Sequence, residues 1–268
     1  MASHWQATHR QRAWLYVLGG AIMMFLLLPT LLVVPMSFSD SSFLGFPPPG
    51  WSTRWYEHYW NSTEWTSATW VSLRVALVTV LVATPLGTLA AYGLHMSRGP
   101  LATAIFFALA TPLVVPVIFI AIGVFYLYSR LNLLYTTTGL VIAHSTLALP
   151  FVMALVASGL KSFDENQEKA ARSLGAPRWR AFLTITLPQI RFSVISAALL
   201  AFLTSFDEVI IALLISGGLN ETLTRRMFTT LRDQIDPTIA AISTILIGIS
   251  IGCVLLSQAL QAKSDERG

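Results

Sequence analysis

The chain has 268 residues, 54% of them hydrophobic and only 11% charged, with a mean hydropathy of +0.65. A soluble fold is excluded, because several apolar stretches reach the ~20 residues a helix needs to cross a bilayer. The net charge of +4 and pI near 9.5 fit basic flanks at cytoplasmic helix ends better than a nucleic-acid surface.

An all-α membrane protein follows, a single transmembrane domain over 1–268 with six spans at about 14–36, 67–93, 102–128, 137–158, 191–215 and 239–262. The first apolar run, from Trp14 to Met36, exceeds the 7–15 residues of a signal-peptide core and no A-x-A site follows it, so it reads as a retained helix. The loop at 37–66 begins with "FSDSSFLGFPPPGW", whose three consecutive prolines, Pro47 to Pro49, and Gly50 exclude regular helix there. Trp51, Trp55, Trp60, Trp65 and Trp70 follow, either as an interfacial aromatic belt or as a docking surface for an outside partner. Pro85, Pro112, Pro116 and Pro150 lie in or near spans, where each removes a backbone donor and can kink its helix. Cys253 is the single cysteine, so no intramolecular disulfide forms.

With the N-terminus inside, the inner segments hold Arg10, Arg12, Arg98, Lys161, Lys169, Arg172, Arg178, Arg180, Arg191, Lys263 and Arg267. The outer side holds Arg54, Arg74, Arg130, Arg225, Arg226 and Arg232, and this imbalance places both termini in the cytoplasm. No phosphate-binding G-x-x-x-x-G-K-[ST] occurs, nor H-E-x-x-H or G-x-S-x-G, so neither an ATPase nor a hydrolase is expected and no metal site is assigned.

Nine of the thirty charged residues crowd into 161–191, within a predicted cytoplasmic loop at 159–190. Ser162 and Glu165 read as a capping box that starts a helix. Glu165–Lys169 and Glu168–Arg172 are spaced as i,i+4 ion pairs, each contributing about 0.2–0.5 kcal/mol. Gln167, Ala170, Ala171 and Leu174 line a narrow face of small and apolar groups, Gly175 can end the helix in the left-handed region, and Pro177 suits the first turn of a second. Two short helices at a fixed corner are a docking shape, because ordering them beforehand reduces the entropy lost on binding. A basic loop resting on anionic lipid is the other reading of the same residues.

"KAARSLGAPRWRAFLTITLP" resembles the loop motif of binding-protein-dependent ABC importer permeases: E-A-A, three residues, G, nine residues, I-x-L-P. Ala170 and Ala171 hold the alanines, Gly175 the glycine, and Ile185, Leu187 and Pro188 the closing triplet. Lys169 stands where the motif has Glu, with Glu168 one place earlier. "LGTLAAYGL", "TPLVVPVIFIAIG", "IAHSTLALPFV", "SFDEVIIALLIS" and "LRDQIDPTIAAIST" are similar to the spermidine/putrescine-type branch. The resemblance implies a type I permease fold whose loop is a coupling helix on a separate ATPase. Contacts are then expected from Glu168, Lys169, Ala170, Ala171, Arg172, Leu174, Gly175, Ala176 and Arg178. It also implies a second homologous permease, two cytoplasmic ATPases that bind ATP and Mg, an external solute-binding protein and a bacterial inner-membrane location, with no cofactor on this chain. The solute would be small and amine-containing.

Within the fifth predicted span, Asp207 and Glu208 follow Phe206 in a strongly apolar run. An acid at a helix centre costs about 2.5–3.5 kcal/mol on insertion, so both must face protein or water. Arg74 enters the second span at matching depth, so the acids either pair with Arg74 or line, with Phe206, a path for a cationic solute. His144 and Ser145 are adjacent and show no organising acid, so polar helix packing is expected rather than catalysis. The rival of a different class is a stand-alone channel or ion-coupled carrier using the two acids; an intramembrane enzyme is a more distant one.

Overall fold

The structure is a computed structural model that describes residues 13–97 and 99–265, with side chains to Gly252. Arg10, Arg12, Arg98 and Arg267, and the side chains of Cys253 and Lys263, lie outside the described residues. In chain order the helices are α1 (Ala13–Ser37), α2 (Arg54–Asn61), α3 (Thr63–Met96), α4 (Pro100–Ala110), α5 (Val117–Leu131) and α6 (Thr137–Lys161). There follow α7 (Glu165–Ser173), α8 (Arg178–Gln189), α9 (Arg191–Phe206), α10 (Ile210–Ile215), α11 (Leu223–Asp233) and α12 (Thr238–Asp265). Among the described residues the only β pairing is two isolated bridges, Ser39 with Trp51 and Gly217 with Asn220.

Among the described residues, three continuous helices are long and apolar enough to cross a membrane: α1 over Trp14–Ser37, α3 and α6. Pro85 and Pro150 are absorbed inside α3 and α6. The stretches expected as spans at 102–128 and 191–215 are not single helices. α4 and α5 meet at 96° across the 3-10 turn Thr111–Leu113. Pro112 lies in that turn and Pro116 caps α5, so two backbone donors are missing where the helix would have to continue. α8 and α9 meet at 80°, and α9 stops at Phe206 before α10 resumes at Ile210.

The chain forms two compact units, 1–63 with 230–268 and 64–229. In the first, α1 and α2 both pack on α12. His58 Nδ1 lies 3.0 Å from Thr238 Oγ1 and Ser37 Oγ 2.7 Å from the Tyr56 hydroxyl, which fasten α2 to its neighbours.

The second unit holds two apolar clusters. Val71, Val75, Ala121, Tyr128, Leu140, Leu147, Ile211 and Ile215 join α3, α5, α6 and α10. Ala83, Ala148, Val152, Val156, Ala197 and Ala201 join α3, α6 and α9. Small side chains allow this close approach, as is usual where lipid gives no hydrophobic drive between helices. At Gly87 the approach leaves no room for a side chain: a Cβ there would lie 2.6 Å from Val152 Cγ1.

Candidate functional site

The loop at 159–190 is built as helix, corner and helix. Its first helix is capped by Asp164, whose side chain accepts from Asn166 N at 3.0 Å. Ser162, expected as the cap, instead donates to the Gly159 carbonyl at 2.9 Å, because it still belongs to the last turn of α6. Gly175 has φ +93°, and the N–H groups of Gly175 and Ala176 donate to Arg172 O at 3.0 Å and Ala171 O at 3.2 Å. That pair of bonds is the Schellman closure, which requires the left-handed residue the glycine supplies. Pro177 sits one place earlier than expected, at the cap of α8.

Glu165 and Lys169 form the i,i+4 pair at 3.0 Å, but Glu168 and Arg172 do not pair. Glu168 turns inward and is buried, accepting from the Tyr92 hydroxyl and from Thr186 Oγ1, both at 2.5 Å. Its expected place on a docking surface is therefore corrected: its side of α7 faces α3 and α8, so its carboxylate is spent within the chain. Lys169, Ala170, Arg172, Gly175 and Arg178 are exposed, while Ala171 and Ala176 are half-buried. Leu174, at the corner, is 91% exposed, and Trp179 is 67% exposed. Over Phe182–Thr186 the second helix widens to π geometry, one extra residue in the turn, and the Phe182 ring lies 4.5 Å from that of Tyr92.

The second cluster lies at the break between α9 and α10. Asp207 ends α9 and is exposed, and Phe206 stacks on Phe202 at 5.5 Å. Glu208 is buried, and its two oxygens accept from Ile211 N and Ala212 N at 2.9 Å each. It thus satisfies the free donors of α10's first turn, where negative charge is favoured. The Glu208 carbonyl accepts from Thr224 Oγ1 at 2.7 Å.

Arg74 is exposed and forms no ion pair among the described residues, so the expected bridge to Asp207 or Glu208 is absent. Glu208 is committed to backbone donors, and His144 Nε2 lies 3.9 Å from one of its oxygens. His144 Nδ1 lies 2.9 Å from Ser205 Oγ, which reaches Thr79 Oγ1 at 3.4 Å. The sequence reading missed this buried chain of Thr79, Ser205, His144 and Glu208. Its one signal was polar residues recurring in three apolar stretches. On the other expected surface, Trp51, Trp60 and Trp70 are exposed, but Trp65 is buried beneath the Arg226 guanidinium at 5.3 Å from its ring centroid. Arg226 also pairs with Glu64 and, at 3.1 Å, with Glu221.

An all-helical chain with broken apolar helices and an outward-cornered polar loop has the build of a membrane transport subunit. Residues 83–267 match the family described as binding-protein-dependent transport system inner membrane component, and the chain belongs to that family. It is 30% identical over 241 residues to the spermidine/putrescine transport system permease protein PotC of Haemophilus influenzae, covering 90% of this chain and 93% of that protein. It is 32% identical to the putrescine transport system permease protein PotI of Escherichia coli, covering 91% and 89%. Its fold is similar to a chain of a bacterial ABC transporter involved in the import of alginate, with a TM-score of 0.73 at 15% identity, covering 96% of this chain and 98% of that one. The fold is therefore that of type I ABC importer permeases.

Proposed function

We propose that this chain is the permease subunit of a bacterial ABC importer for putrescine- or spermidine-like amines. It spans the inner membrane six times with both termini in the cytoplasm, α4 with α5 and α9 with α10 each serving as one broken span. It pairs with a second homologous permease, two ATPase subunits that carry ATP and Mg, and an external solute-binding protein. The observation that carries this reading is the corner at Leu174–Gly175. Leu174 and Trp179, two large apolar side chains exposed on a polar loop beside a defined glycine turn, suit a docked surface better than a free loop. Lys169, Ala170, Ala171, Arg172, Leu174, Gly175, Ala176 and Arg178 form the contact with the ATPase.

Asp207 lines the solute path, supported by its exposure at the end of α9, a poor place for a carboxylate unless water or a cation meets it. The chain itself does no chemistry; ATP-driven closure of the ATPases moves the loop and tilts the spans.

Reconstitution with a partner permease, an ATPase and a solute-binding protein, using labelled putrescine, tests this. Uptake is expected to need both ATP and binding protein. Uptake that persists without the ATPase overturns it in favour of a stand-alone carrier.

A further inference from the structure

The loop is tied to the rest of its unit by side chains of both its helices, and the central tie is an acid on α7. Glu168 gives one oxygen to Tyr92 in the last turns of α3 and the other to Thr186 in the π turn of α8. Hydroxyl bonds to a carboxylate at this length are among the strong ones, and Glu168 and Thr186 are both buried, so water does not compete for them. Outer ties flank the acid: Gln189 Nε2 donates to Gln167 Oε1 at 2.7 Å, and His95 Nε2 lies 3.3 Å from Glu165 Oε1. Tyr92 is held twice, by its hydroxyl to Glu168 and by its ring against Phe182. Glu165 and Glu168 thus fasten α7 to α3, and Gln167 and Glu168 fasten it to α8, so a displacement of α7 bears on both helices.

We propose that Tyr92, Glu168 and Thr186 form a transmission clasp, with Glu168 as a positioning residue that carries movement of α7 into the inner end of α3. The inference rests on the docking reading above and deepens it: contact with the ATPase belongs to Lys169 and the corner, whereas transmission belongs to the acid one residue earlier. The chain thus keeps an acid in its loop motif, shifted by one place and given an internal task.

The test is hydrogen exchange on the assembled complex in nanodiscs, comparing ADP with ATP plus vanadate. In the wild type, exchange is expected to change with nucleotide both at 165–181 and at 88–96. In Glu168→Leu, Tyr92→Phe and Thr186→Val, the change at 165–181 is expected to persist and that at 88–96 to be lost. Tyr92→Phe keeps the ring contact with Phe182 and Thr186→Val keeps volume, so these two decide the matter if Glu168→Leu does not assemble. An unaltered nucleotide response at 88–96 in both overturns the clasp. Loss of response at both segments together marks a docking or folding role and overturns it as well. A wild-type complex with no response at 165–181 would instead overturn the docking reading, and the clasp with it.

Discussion

His144 Nδ1 of α6 and Ser205 Oγ of α9 lie 2.9 Å apart with His144 only 1% exposed, which fixes the histidine ring against the last turn of α9. Ser205 also reaches Thr79 of α3, so one hydroxyl joins three helices at their buried crossing. Ser205→Ala removes that shared partner and leaves the imidazole nitrogen with nothing to bond. The expected cost is about 1 kcal/mol, because polar bonds between membrane helices average roughly 0.6 and a stranded buried group adds to that. A thermal melt of the purified chain in detergent should show the loss, with Ser205→Thr melting closer to the wild type than Ser205→Ala does.

Asp207 and Glu208 are neighbours with separate tasks, and their conservative amides should therefore part company. Glu208→Gln loses one of the two acceptors on α10's first turn, so stability falls by about 0.5–2 kcal/mol, the range for a lost helix cap. Among the described residues the Asp207 carboxylate accepts from no backbone donor, so Asp207→Asn leaves melting unchanged. If Asp207 lines the path, putrescine uptake by the assembled complex falls severalfold in Asp207→Asn at equal ATPase content. Wild-type uptake in that variant would remove Asp207 from the path.

Gly175 is expected to tolerate few side chains. At φ +93° a β-branched residue costs on the order of 1–2 kcal/mol in the left-handed region, although a Cβ would meet no atom within 4 Å. Gly175→Val should therefore weaken retention of the ATPase on copurification, by roughly 5–30-fold for 1–2 kcal/mol, through the shape of the corner alone. Gly175→Asn, better suited to positive φ, is expected to retain more of it.

Features that depend on a residue's chain neighbours were legible, and those that depend on distant ones were not. The helix, glycine corner and second helix of the loop follow from Gly175 and Pro177, which punctuate the backbone wherever they occur. The 96° bend between α4 and α5 sits where Pro112 and Pro116 announce missing donors, though an apolar run conceals whether a helix merely kinks or turns away. The break at 207–209 carries neither proline nor glycine. It exists because Glu208 folds onto the first turn of α10 and Thr224 takes its carbonyl, partners that no local pattern reveals. Glu168 misled for a similar reason: its spacing to Arg172 suits an exposed pair, but Tyr92 lies 76 residues away and draws it inward. Matching depth likewise suggested Arg74 as a partner for the acids, yet depth says nothing of the face a side chain takes, and Arg74 faces outward.

The close crossing of α3 and α6 gives a sharp stability test. Gly87 of α3 lies so near α6 that an added Cβ would meet Val152 Cγ1 at 2.6 Å and Leu149 O at 3.3 Å. Val152 is fully buried, so it has no solvent into which to retreat. Gly87→Ala should thus destabilise by about 1–3 kcal/mol through overpacking, even though alanine is intrinsically the better helix former. Gly93, six residues on in the same helix, has nothing within 4 Å of its added Cβ, and Gly93→Ala should stabilise by about 0.5–1 kcal/mol. Val152→Ala removes the methyl that Gly87→Ala strikes, so the double variant should melt above the sum of the two single losses. Additive losses in that cycle would mean that α3 and α6 do not meet at Gly87 and Val152.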